Sequence, residues 1–267
     1  MARTKVKLYM FPGSNSVLTT RLMLEHKGIE YRRVHLFPGP HAFILLGKGF
    51  DTMQVPALKV DGQRLQGSRW IARGLDELVP EWPLFPAEAQ RRRAVEEAER
   101  WGEGFQNAVR RIFYCAARRD RGAYRSLMTA ERSLPGRLVV RMMSPLVMRL
   151  ATGAHQASDA AGREDLALLA ERLDRIDAWI DEGLLNGPVL NAADFQIAPN
   201  VALLLRFDDL ARFVGHRPAA ALARRVAPEY PGHVPAVLPA EWLAPLEAAM
   251  DAPPVDGRAL ALESHGR

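Results

Sequence analysis

Apolar and polar positions alternate from Lys5 to Phe11, the period of a half-buried strand, and Pro12-Gly13 ends the run. From Val17 the period becomes helical: Val17, Leu18, Leu22 and Leu24 recur up to Lys27, with Ser14, Asn15 or Ser16 as the cap and Gly28 as a left-handed stop. Ile29 to Leu36 reads as a second strand, which makes a right-handed strand-helix-strand unit. Gly and Pro punctuate Phe37 to Met53, where Ala42 to Gly47 can form a short helix. Ala57–Val60 and Arg64–Gln66 flank Asp61-Gly62, a type I′ hairpin signal, and Ser68 opens a helix bearing Ile71, Leu75 and Leu78. Beyond Pro80–Pro86, Pro-rich with aromatic anchors, the period is helical throughout. Arg92 to Cys115 carries Val95, Ala98, Trp101, Phe105, Val109 and Ile112, with Gly102 and Gly104 expected to weaken or bend it. Asp165 to Glu182 carries a seam of Leu166, Leu169, Leu173, Ile176 and Ile180. Asn191 to Phe207 opens close to a capping box, with Asp194 at the third position, and the tail after Pro253 is expected to fray.

Composition narrows the classes. At 267 residues with 48% hydrophobic and 25% charged residues, the chain suits a soluble protein with a sizeable core, and no apolar run reaches a membrane span. No apolar signal segment precedes the first strand, so the cytoplasm is the expected compartment. The single cysteine, Cys115, excludes an intramolecular disulfide, a Cys-x-x-Cys redox pair and a multi-cysteine zinc site. Seven scattered histidines show no ligand spacing, so no metal is expected. Net charge is +5, but the basic residues are mostly arginines interleaved with acids, the pattern of solvated helix faces, and no nucleic-acid partner is expected.

Three short motifs follow one another: Ser14-Asn15-Ser16-Val17 opening a helix, Val55-Pro56-Ala57-Leu58, and Gly67-Ser68 before another helix. A Val-Pro pair leading into a short apolar run is where a cis proline is expected, exposing the Val55 backbone to a bound peptide. With Arg21 to Tyr31 and Gln54 between them, and Gly187 to Phe195 further on, these motifs resemble the glutathione S-transferase family over nearly the whole chain, in its serine-type, bacterial-like form. The resemblance implies an α/β thioredoxin-like N-terminal domain over 1–80, a linker over 81–90 and an all-α C-terminal domain over 91–267. It also implies glutathione as cosubstrate, a small electrophilic or apolar second substrate and a homodimer.

By that resemblance Ser14 is the catalytic serine, with Ser16 as its substitute; Gln54, Val55 and Pro56 hold the cysteinyl and glycyl parts of glutathione, Val55 through its backbone. A hydroxyl at a helix N-terminus can donate to a thiolate, and a thiol of pKa about 8.5 is only slightly ionised without help. Ser68 would take the γ-glutamyl carboxylate at its helix end. The preceding residue, in the family an acid or glutamine that meets the γ-glutamyl amine, is here Gly67. Gln66 is expected on the opposite face, and Arg69 or a residue of a second subunit is the candidate replacement. Two readings are carried forward: an enzyme that activates the glutathione thiol, and a catalytically silent binding or stress-response protein of the same fold. A glutaredoxin-type enzyme is excluded by Ser and Val at positions 14 and 17. The segment Leu134 to Ala151, cationic and amphipathic, is read as a lid on the second-substrate pocket, with membrane contact as the alternative.

Overall fold

The computed structural model describes residues 5–37, 39–130 and 134–251, so the tail after Pro253 lies outside the described residues. The N-terminal part runs β1 (Val6–Met10), α1 (Asn15–His26), β2 (Arg32–His35), α2 (His41–Gly47), β3 (Ala57–Val60), β4 (Gln63–Gln66) and α3 (Ser68–Leu78). The strands form one mixed sheet in the order β2-β1-β3-β4, parallel between β1 and β2 and antiparallel elsewhere. The two-residue period of β1 gives each face its core. Val6, Leu8 and Met10 join Leu24, Ile71 and Leu75 in the main cluster, while Tyr9 packs with Leu36, Leu45, Phe50 and Ala57 on the other side. Asp61 and Gly62 both have positive φ, as a type I′ turn demands.

α1 ends at a buried lysine. Lys27 Nζ donates to Val79 O at 2.7 Å and Trp82 O at 3.2 Å and pairs with Asp76 at 2.7 Å. The Asp76 carboxylate in turn accepts from the backbone N–H groups of Leu84 and Phe85. The Pro-rich segment is thereby tied down, with Leu84 and Phe85 buried in the core.

The rest is helical: α4 (Ala89–Arg119), α5 (Arg121–Thr129), α6 (Leu134–Ala154), α7 (Asp159–Ala167), α8 (Leu169–Asp181), α9 (Ala192–Leu204), α10 (Ala211–Val214), α11 (Pro218–Val226) and α12 (Ala240–Asp251). α9 is its axis; every residue of that helix is buried, and it packs on α1, α3, α4 and α11. α4 runs unbroken through Gly102, whose role is close approach: a Cβ there would lie 2.8 Å from Ile197 Cγ1 and 3.0 Å from Gln196 Cγ on α9. The single helix expected from Asp165 to Glu182 belongs to two, which meet at Leu168 (φ −89, ψ 0). Asp165 anchors the break, its carboxylate taking both Arg111 Nε and Nη2 at 2.6 and 2.9 Å, while Arg172 reaches back to its carboxylate at 3.0 Å and its carbonyl at 3.3 Å. α9 carries the capping box complete, with Asn191 and Asp194 each accepting from the other's backbone N–H. No helix among the described residues is long and apolar enough to cross a membrane.

Candidate active site

The sheet register gathers the three motifs. Tyr9 of β1 stands opposite Ala57, and Ala57 opposite Gln66. The residues just past each pair, which lead into α1, precede β3 and open α3, therefore leave the sheet at one end. Ser14 caps α1 there, Val55-Pro56 enters β3 through a cis peptide bond, and Gly67-Ser68 starts α3. The Gly67 N–H donates to Pro56 O at 3.0 Å, joining two of the three segments.

The three serines have different surroundings. Ser14 has the extended backbone of an N-cap (φ −89, ψ 116), but its hydroxyl makes no capping bond and has no hydrogen-bond partner among the described residues. It opens into a cavity of about 360 Å³ between the end of β1, the outer side of α1 and the segment Ala227–Pro231. No acidic residue sits in the first turn of α1, so the partial positive charge of that helix end is not neutralised locally. Ser16, half-buried, accepts from Gln106 Nε2 at 2.6 Å. Ser68, buried, donates to Gln196 Oε1 at 2.9 Å, and Gln196 Nε2 donates to Gln106 Oε1 at 3.2 Å. Ser68, Gln196, Gln106 and Ser16 thus form one hydrogen-bonded chain across the interface of the sheet domain with α4 and α9.

Asn15 extends the polar layer. Its Nδ2 donates to Asn200 Oδ1 at 2.7 Å, and its Oδ1 accepts from the hydroxyl of Tyr230. Burial pushes the Tyr230 phenol up, which keeps it a neutral donor. Asn15 and Tyr230 both line the cavity beside Ser14.

Gln54 is exposed and Val55 half-buried, outside the strand ladder. Gln66 clamps the loop ahead of them: its Nε2 donates to Thr52 O at 2.8 Å and Gln54 O at 3.1 Å, and its Oε1 accepts from Thr52 N at 2.9 Å. Gly67 has φ +80 and ψ 137, a conformation that disfavours any side chain. Arg69 turns to α4, where it pairs with the buried Glu99 and with Glu103, both at 3.3 Å. Of the eight predicted residues, Ser14 alone lines the cavity. Cys115 is buried in the helical core, and burial raises its thiol pKa, which suppresses the thiolate. Among the described residues no group of three His, Cys, Asp or Glu side chains is placed to hold a metal ion.

Asn15, Gln106, Gln196, Asn200 and Tyr230 were not singled out from the sequence as site residues. One signal was available: Gln196 and Asn200 are polar at i,i+4 in an otherwise apolar helix, and such residues are kept only where partners await them.

Residues 8–83 match the model of the glutathione S-transferase N-terminal domain. Those residues form a glutathione S-transferase N-terminal domain. Solved glutathione transferases share its whole architecture. Glutathione transferase F2 of Populus trichocarpa superposes with a TM-score of 0.60 at 17% identity, covering 92% of this chain and 100% of that one. The β-etherase LigF of Sphingobium gives 0.57 at 19%, covering 83% and 99%. A rice glutathione S-transferase solved in complex with glutathione gives 0.51 at 16%, covering all of both chains. At these identities the likeness is one of fold, a thioredoxin-like domain followed by an all-helical one. No curated protein matches the chain in sequence.

Proposed function

We propose that this chain is a glutathione S-transferase in which Ser14 activates the thiol of bound glutathione for attack on a small electrophile. The carrying observation is the Ser14 hydroxyl, which has no hydrogen-bond partner among the described residues at a helix N-terminus and opens into a cavity of about 360 Å³. A thiol placed there loses its proton to solvent more readily, because the hydroxyl and the helix end stabilise the thiolate. The sulfur then forms a bond to the electrophilic carbon as the leaving group departs with its electron pair. The rice relative's complex with glutathione supports the same cosubstrate here. In this reading the Val55 backbone pairs with the cysteinyl unit, and Gln54 holds the glycyl end. The γ-glutamyl carboxylate meets the first-turn N–H groups of α3, since the Ser68 hydroxyl is already committed to Gln196. The cavity volume suits a small apolar second substrate.

The reading includes a cytoplasmic homodimer. Sedimentation at twice 29.7 kDa is the expected result, and a 29.7 kDa species alone counts against it.

One set of observations favours the second reading, a silent binding protein. Gly67 offers no side chain, the Ser68 hydroxyl is occupied, and Arg69 is held by two glutamates, so the γ-glutamyl end has few free side-chain partners. Retention on immobilised glutathione, followed by a thermal shift with free glutathione, separates the two. The enzyme reading expects retention and a raised Tm. Neither effect at millimolar glutathione selects the silent protein.

A further inference from the structure

α6 is anchored on one face and bare on the other. Val140, Ser144 and Met148 are buried where the helix packs on α4 and α5. On the opposite side Leu138, Met142, Leu146 and Leu150 form a row at i,i+4 spacing and are 56%, 80%, 53% and 58% exposed, with Val139 and Met143 beside them. None of these residues lines the cavity at Ser14, so the row does not serve as a lid over that cavity. Contiguous exposed apolar side chains of this kind mark an interaction surface.

The charge around the row selects the occupant. Arg141 and Arg149 are exposed, and the helix from Leu134 to Ala154 contains no Asp or Glu. The adjoining α5 adds Arg121 and Arg125 and again no acid. A second copy docked α6 to α6 would set arginine against arginine with no carboxylate on either helix. A cationic amphipathic helix that keeps its apolar row outward matches an anionic bilayer surface, with the leucines and methionines in the acyl boundary and the guanidinium groups at the lipid phosphates. We infer that α6 docks this protein peripherally on anionic membrane through Leu138, Met142, Leu146 and Leu150, steered by Arg141 and Arg149. The inference is independent of glutathione chemistry.

Flotation of the full chain with vesicles tests it. Binding is expected to phosphatidylcholine vesicles containing phosphatidylserine, to be much weaker on phosphatidylcholine alone, and to fall at high salt. The double variant R141E/R149E should lower binding to the anionic vesicles by roughly tenfold or more. M142S/L146S should lower it at every salt concentration. All four side chains are exposed, so unchanged Tm values will establish that both variants fold. Three outcomes overturn the proposal: no binding to anionic vesicles, variants that bind like the parent, or a lipid-free dimer that M142S/L146S dissociates, which would assign the face to a second copy.

Discussion

A serine at a helix start normally spends its oxygen on the backbone two or three residues ahead, and here the hydroxyl of Ser14 does not. Ser16 and Ser68 are spent, one on Gln106 and the other on Gln196. That difference gives Ser16 and Ser68 to cohesion and leaves the Ser14 hydroxyl free for the chemistry proposed above. Ser16→Ala would leave the Gln106 amide without its acceptor in a half-buried layer. It should cost on the order of 1–3 kcal/mol in thermal or urea denaturation, while the proposed transferase activity of the folded protein changes little. Gly67→Ala meets a different obstacle: with φ +80 and ψ 137 the backbone disfavours a Cβ, and a loss of similar size, about 1–3 kcal/mol, is expected in the same assay. The Ser14, Val55-Pro56 and Ser68 motifs could be read from sequence because each is a local signal at a strand or helix boundary. Their partners could not, since Gln106 lies 90 positions from Ser16 and Gln196 lies 128 from Ser68. Arg69 likewise looked available for ligand until α4 supplied Glu99 and Glu103.

Among the elements, α9 has the most consequence and its start was legible. Asn191-Ala192-Ala193-Asp194 announces a cap, and both reciprocal bonds form. Burial raises the Asp194 carboxyl from 3.8 to about 6, against the opposing pull of the N–H groups of Asn186 and Asn191. Between those two values the folded protein holds a proton that the unfolded chain has released. This group's contribution to stability therefore falls as pH rises from about 4 to about 6. Asp194→Asn cannot titrate, so the stability difference between parent and variant should narrow as pH rises through that window. A difference that widens, measured by denaturant titration at several pH values, contradicts the assignment. Other elements were read less well for a common reason, because contacts between distant segments overrode local preference. Gly102 reads locally as a weak point in α4, whereas its packing role is to admit α9, and the apolar seam of α7 and α8 conceals a break held by Arg111, Asp165 and Arg172.

Across the whole molecule, the sheet domain and the helices share one polar layer inside an apolar interface, running from Ser68 through Gln196 and Gln106 to Ser16, with Asn15, Asn200 and Tyr230 alongside. Such a layer is stable only when every member is satisfied. Q106L and Q196L should therefore be strongly non-additive, with a coupling of roughly 0.5–3 kcal/mol in a double-mutant cycle; additive losses would show that the two glutamines act separately. The same layer holds the start of α1 in place and leaves Ser14 at its edge, facing the cavity. Ultraviolet titration of the thiolate of bound glutathione tests that arrangement most directly. In the parent protein the thiol should titrate well below the ordinary thiol value of about 8.5. In Ser14→Ala it should return toward that value, with turnover down by about 10²-fold and the fold little changed, because the lost hydroxyl made no capping bond. A thiolate pKa that is the same in the parent and in Ser14→Ala would contradict the role given to Ser14.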